Sequence, residues 1–259
     1  MKSIFRMSYP YILWIGFFIV APMLMIFLYA ITTSGNSTLT FQFTLDNFAR
    51  FFRDPDFIRV LLTSLRIAFL TTVFCLLIGY PAALFIANLS DRMQTLMTLL
   101  LTLPMWINML LKTYAWRGIL LNFDFSSELR VFIGMVYDFL PFMIIQIHTA
   151  IAKLDPNLLV AAHDLGANKV KSFLKVTLPL SVPGIISGIT LVFLPAVSSF
   201  VIPKMLGGGD YVLIGNLIET HMLVIGDWNY GSAISLIMAL IIIAAMWATK
   251  KLDRSAQED

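Results

Sequence analysis

The chain has 259 residues, 59% of them apolar and 13% charged, with a formal net charge of +3 and a mean hydropathy of +0.85. Soluble domains are about 45–50% apolar and about 25% charged. The composition therefore excludes an ordinary soluble enzyme, a disordered chain and a nucleic-acid binder, and leaves an integral membrane protein whose apolar surface faces lipid. The single cysteine, Cys75, excludes an internal disulfide framework.

A helix of about 20 apolar residues crosses a hydrocarbon core of ~30 Å. Six such stretches run at about 11–31, 60–87, 96–116, 131–152, 182–203 and 233–249. They are too long for barrel strands, so the fold class is all-α and polytopic, with residues 1–259 forming a single transmembrane domain. The first run is longer than a signal-peptide core and lacks a small residue at Leu28 for a cut after Ala30, so it is expected to be retained. With the N-terminus inside, ten basic residues fall on the inner side (Lys2, Arg6, Arg92, Lys153, Lys169, Lys171, Lys175, Lys250, Lys251 and Arg254). Five fall outside (Arg50, Arg53, Arg59, Arg117 and Arg130). This bias places both termini in the cytoplasm. Arg66, Lys112 and Lys204 lie near outer helix ends, where they are expected to snorkel outward.

Three connections carry more than linker chemistry. In the first outer loop, which opens with polar residues through Ser37, Thr44 is placed to cap a short helix. Leu45, Phe48, Phe51 and Phe52 recur there at helical spacing, which predicts an amphipathic surface helix. In the last outer loop, Gly207-Gly208-Gly209 breaks the chain, and a second short outer helix is expected over 216–224. The cytoplasmic loop over 153–181 opens with Asp155-Pro156, an N-cap followed by proline at the first helical position. A short helix then runs to Leu165, Gly166 ends it, and a second short helix carrying Phe173, Leu174 and Lys175 is expected to stop before Pro179. Two short helices around a glycine make a knob projecting from the membrane, a device suited to being pushed by a soluble partner.

This loop resembles the cytoplasmic signature of ABC-transporter import permeases: Glu-Ala-Ala, three residues, Gly, nine residues, Ile-x-Leu-Pro. Here Val160-Ala161-Ala162 is followed after three residues by Gly166, and after nine more by Val176-Thr177-Leu178-Pro179. Val160 stands where the family has Glu, and Val176 where it has Ile. Further stretches resemble the spermidine/putrescine permeases of that family. These are Gly79-Tyr80-Pro81-Ala82-Ala83, Leu103-Pro104-Met105-Trp106-Ile107-Asn108, Thr113-Tyr114-Ala115-Trp116, Leu140-Pro141-Phe142-Met143 and Phe200-Val201-Ile202-Pro203. The segment 121–130 looks shorter than usual. The likeness covers nearly the whole chain. It implies the type I ABC importer permease fold in a bacterial inner membrane, with a second homologous permease, two ATPase subunits and an extracytoplasmic substrate-binding protein as partners beside membrane lipid. It also implies that Ala161, Ala162, His163, Asp164, Leu165, Gly166 and Ala167 form the coupling element against an ATPase. No phosphate-binding Gly-x-x-x-x-Gly-Lys-Ser/Thr occurs, so ATP and Mg²⁺ belong to the partner ATPases and this chain is a transport subunit without cofactor.

A polyamine cargo needs carboxylates for its amines and aromatic faces for cation–π contact. Trp106, Asn108 and Tyr114 are the candidate path residues, because Pro104 should loosen the helix beside them. Asp138 is a carboxylate at membrane depth, open between a substrate role and pairing with Arg130 or Lys112. Ser198 and Ser199 are placed to line the path or to pack between helices. Lys112 weighs against a cation site on this subunit, in which case the second permease supplies the negative charge. The three histidines fall in separate segments without metal-ligand spacing, and no nucleophile–base arrangement is legible. The alternatives are the same importer type with another small solute as cargo (another organic cation, an amino acid-like solute or an oxyanion) and a multipass membrane enzyme.

Overall fold

The computed structural model describes residues 11, 13–33 and 42–258, and side chains as far as residue 251. Lys2, Arg6 and the polar run at Ser34–Ser37 lie outside the described residues. Eleven helices follow one another among the described residues. They are α1 (Leu13–Ala30), α2 (Asp46–Arg53), α3 (Pro55–Ala87), α4 (Asp91–Trp106), α5 (Met109–Leu120), α6 (Ser127–Ala152), α7 (Pro156–Asp164), α8 (Lys169–Ser198), α9 (Val201–Leu206), α10 (Ile214–Ile225) and α11 (Trp228–Glu258). The one β feature among them is an isolated bridge between Thr32 and Phe43. Five helices are long and apolar enough to cross a membrane; α4 and α5, bent by 91° at the break between them, make a sixth if the pair counts as one span.

Two spans differ from the sequence expectation. The third is not continuous over 96–116. It breaks at Ile107–Asn108, and Pro104 stays inside α4. The fifth does not start at 182. It runs unbroken from Lys169 to Ser198, so the second short helix of the cytoplasmic loop does not stop before Pro179. The reason is a π-helical turn at Phe173–Thr177, in which the Leu178 N–H bonds Phe173 O five residues back. That wider turn relieves the clash a proline ring otherwise makes with the carbonyl four residues before it. The same device recurs in α1, where a π turn at Gly16–Val20 directly precedes Ala21-Pro22.

The chain divides into two compact units, Met1–Val60 with Leu217–Ile241, and Leu61–Asn216 with Ile242–Asp259. In the first, two asparagines close the end of α1. Asn47 donates to Ala30 O (2.9 Å) and Thr32 O (3.0 Å), and Asn229 donates to Tyr29 O (2.9 Å) and Thr32 O (2.9 Å). These amides satisfy the carbonyls that a helix leaves orphaned at its C-terminus. Thr44 accepts from the Asp46 N–H (3.1 Å) without capping α2: Leu45 stands at the N-cap with no side-chain cap bond, and the helix starts at Asp46, one residue later than a Thr44 cap would set it. Phe51 is buried and stacks on Phe57, whereas Leu45 and Phe52 face outward at 71% and 63% exposure. Tyr230 is fully buried between Phe57 and His221, with the Arg50 guanidinium over its ring and Arg50 paired to Asp227 at 3.1 Å. Burial, helped by the Arg50 charge, pushes the His221 imidazole below its usual range. The exposed surface of α1 is almost entirely apolar, as a lipid-facing span requires.

The second unit is built on α6 and α8. Gly184 and Gly188 let the two helices approach until a Cβ on Gly184 would meet Ala150 Cβ at 2.4 Å. The Tyr80 and Ser181 hydroxyls share a buried hydrogen bond of 2.8 Å. Gln94 holds the turn between α3 and α4, donating to Leu89 O (2.9 Å) and accepting from His148 Nε2 (3.2 Å).

Candidate functional site: a broken-helix path and a cytoplasmic knob

Two helices of the second unit break and restart. After the 91° bend, α5 begins at Asn108, whose side chain accepts from the Leu110 N–H at 2.8 Å. After Ser199–Phe200, the chain restarts as α9. The two restarted segments pack against each other, and α9 also packs against α6. Non-helical backbone at membrane depth persists only where protein or a water-filled path covers it.

The break in the fifth span is pinned by residues that the sequence did not single out for it. Asn216 donates to Phe200 O (2.7 Å) and accepts from the Leu213 N–H (3.2 Å). Ser64, from α3, accepts from the Ile214 N–H (2.9 Å). Gly215 sits so close that a Cβ there would meet Ser198 O at 2.6 Å. Arg130 closes the far end of α9, donating to Leu206 O (3.1 Å) and to Phe125 O (2.7 Å). Asn216→Leu is expected to leave the Leu213 N–H unpaired, with Phe200 O keeping only its bond from the Lys204 N–H (3.1 Å), at a cost of about 1–3 kcal/mol. A lowered thermal midpoint of the purified protein checks this.

The candidate path residues separate by surroundings. Trp106 and Tyr114 are exposed, at 80% and 64%. Asn108 is occupied as the cap of α5. Ser198 donates back to Leu194 O (3.2 Å), an intrahelical bond. Ser199 is buried, and its hydroxyl has no partner among the described residues. Asp138 pairs with Lys112 Nζ at 2.5 Å, both side chains being nearly buried at 13% and 11% exposure. Lys112 therefore does not snorkel outward, and Arg130, engaged with α9, is not the partner of Asp138. Arg66 likewise pairs across to Glu128. One turn beyond Lys112, Trp116 packs on Tyr137 with ring centroids 4.9 Å apart.

The knob between α6 and α8 follows from its capping residues. Asp155 accepts from the Asn157 N–H (2.9 Å) and starts α7. At its other end, the Ala167 N–H bonds Ala162 O (3.0 Å) and the Gly166 N–H bonds His163 O (2.9 Å). This is a Schellman closure, with Gly166 at φ +80°. His163 Nδ1 adds a donor to Ala167 O (2.9 Å), and Asn168 caps α8 by accepting from the Lys171 N–H (2.9 Å). A cleft of about 750 Å³ lies between α7 and the ends of α3, α4 and α6. The outer face shows Val160 at 56% and Leu165 at 89% exposure, flanked by Ala161, His163 and Asp164. This small apolar face is anchored at both ends and free between.

Comparison with known proteins supplies the family. The family described as "Binding-protein-dependent transport system inner membrane component" matches residues 75–258. The spermidine/putrescine transport system permease protein PotB of Haemophilus influenzae is 37% identical over 267 residues, covering 94% of this chain and 93% of that protein. PotB of Escherichia coli is 36% identical, covering 94% and 97%. Among solved structures, a bacterial ABC transporter involved in the import of the acidic polysaccharide alginate superposes with a TM-score of 0.76. Its identity is 16%, and 98% of this chain and 96% of that one are covered. The MetNI methionine ABC transporter superposes with a TM-score of 0.61 at 14% identity, covering 77% and 95%. Its multipass helical fold, its glycine-closed knob and these full-length likenesses make the chain a member of the binding-protein-dependent inner-membrane permeases, the transport subunits of ABC importers.

Proposed function

We propose that the chain is one of two permease subunits of a polyamine importer and moves spermidine or putrescine inward. The observation that carries this reading is the full-length likeness to the spermidine/putrescine permeases. A binding protein delivers cargo at the outer face. Two ATPase subunits hold ATP and Mg²⁺, and one of them receives α7 and the Gly166 turn. Their closure pushes the knob, and α8, continuous with it from Lys169 to Ser198, carries the displacement into the membrane. Both termini lie in the cytoplasm, as the basic-residue bias supports.

Uptake of labelled spermidine by cells lacking the chain, restored by the wild-type gene, tests the cargo. Equal uptake with and without the chain, with the chain present in the membrane, would reject it. In the path, Trp106→Ala is expected to weaken spermidine-stimulated ATP hydrolysis about threefold to tenfold, the worth of one cation–π contact, while basal hydrolysis stays. Equal loss of both rates would assign Trp106 a packing role.

A further inference from the structure

We infer that Asp138 is an ammonium-binding site on the transport path and that Lys112 occupies it as a tethered stand-in for the cargo amine. The inference rests on the polyamine reading and names the residues that carry it out. A buried ion pair gives little stability over apolar residues of the same volume, so the pair is not explained by folding alone. Its chemistry matches the cargo. A lysine side chain is an aminobutyl group ending in a primary ammonium, the same unit that putrescine and one arm of spermidine present. The Lys112–Asp138 pair and an aromatic contact join the same two helices: Tyr137, which precedes Asp138 on α6, packs on Trp116, one turn from Lys112 on α5. Carboxylate plus aromatic face is the combination that recognises an alkylammonium.

Geometry supplies the means of exchange. Lys112 sits one turn past the break at Ile107–Asn108, on a 12-residue half-helix rather than a continuous span. A change in the angle of α5 withdraws Lys112 without unwinding a helix. Replacing its ammonium by that of the cargo keeps Asp138 paired throughout, so no bare charge is left at membrane depth. A group tethered this way competes at an effective concentration of about millimolar. Lys112 therefore keeps the site weak and evicts the cargo once α5 returns. The cation that weighed against a polycation path becomes part of how the path releases one.

The test is spermidine-dependent thermal stabilisation of the purified permease–ATPase complex, read as the spermidine concentration giving half the maximal shift. Lys112→Gln removes the competitor, and the half-point is expected to fall about tenfold. Asp138→Asn removes the site, and the half-point is expected to rise about tenfold or more. The neutral pair Lys112→Gln with Asp138→Asn keeps a hydrogen-bonding pair without charge and should match Asp138→Asn. Opposite shifts for the two single variants support the inference. Shifts in the same direction, a double variant that binds like wild type, or no spermidine effect on a wild-type complex that takes up spermidine in cells, each overturn it. A wild type that takes up no spermidine removes the cargo reading itself, before any variant is compared.

Discussion

A Gly166→Glu chain is expected to insert and assemble at wild-type levels and to support no uptake. Gly166 holds φ +80° at the end of α7, and a Cβ there meets nothing within 4 Å. The cost within the chain is the backbone cost of a left-handed L residue, about 1–2 kcal/mol. That is too small to unfold a membrane protein of this size. The new side chain instead points away from the chain, beside Leu165, the most exposed large apolar residue of the knob. A charged group there opposes seating in an apolar groove of an ATPase. The check is transport against membrane abundance. Normal uptake would reject the coupling role, and lost abundance would reassign Gly166 to folding. Gly166→Ala, with the same backbone strain and no bulk, should retain most uptake.

Gly184→Val is expected to do the opposite and destabilise the chain itself. Gly184 is an ordinary helical residue, but its Cβ would stand 2.4 Å from Ala150 Cβ and 2.9 Å from Gln146 O. The second neighbour is backbone and cannot rotate away. Forcing α6 and α8 apart loses contact along the main helix pair of the second unit, at about 3 kcal/mol. A lowered thermal midpoint and reduced amount in the membrane measure it. Gly184→Ala combined with Ala150→Gly should recover part of the loss, because it clears the nearer atom. An unchanged midpoint for Gly184→Val would mean that α6 and α8 are not packed as described.

The contrast between these two glycines marks how far the sequence reaches. Gly166 was legible because its role is local: a polar N-cap at Asp155, a short apolar helix and a glycine stop specify a knob without reference to any distant residue. Gly184 reads in sequence as another small residue in an apolar run, and only the approach of α6 gives it a role. The existence of α2 was likewise local, read from apolar residues at helical spacing, whereas its cap, Leu45 rather than Thr44, and which of the apolar residues is buried were not. Leu45 and Phe52 face outward because Phe51 alone meets Phe57.

The same division runs through the transport path. Composition and run length determined that the chain lives in a membrane and where its apolar runs lie, because the transfer of apolar residues into lipid is a sum over neighbours in sequence. Spacing around Gly166 determined the glycine-closed knob, because turn and cap chemistry is confined to a few residues. Where the third span breaks was not determined, since Pro104 is accommodated inside α4 and Asn108 is the residue that caps the restart. Nor was the partner of Asp138: Arg130 and Lys112 were both within reach by position. The choice fell to Lys112 because Arg130 is engaged with the end of α9. Asn216 and Ser64 hold the break in the fifth span only through bonds to Phe200 and Ile214, the latter 150 positions away from Ser64. Such pairings depend on which helix lies beside which, and no local pattern encodes that. Local chemistry along the sequence set the solvent, the apolar runs and the knob; the tertiary structure decided where the helices break and which buried charge answers which.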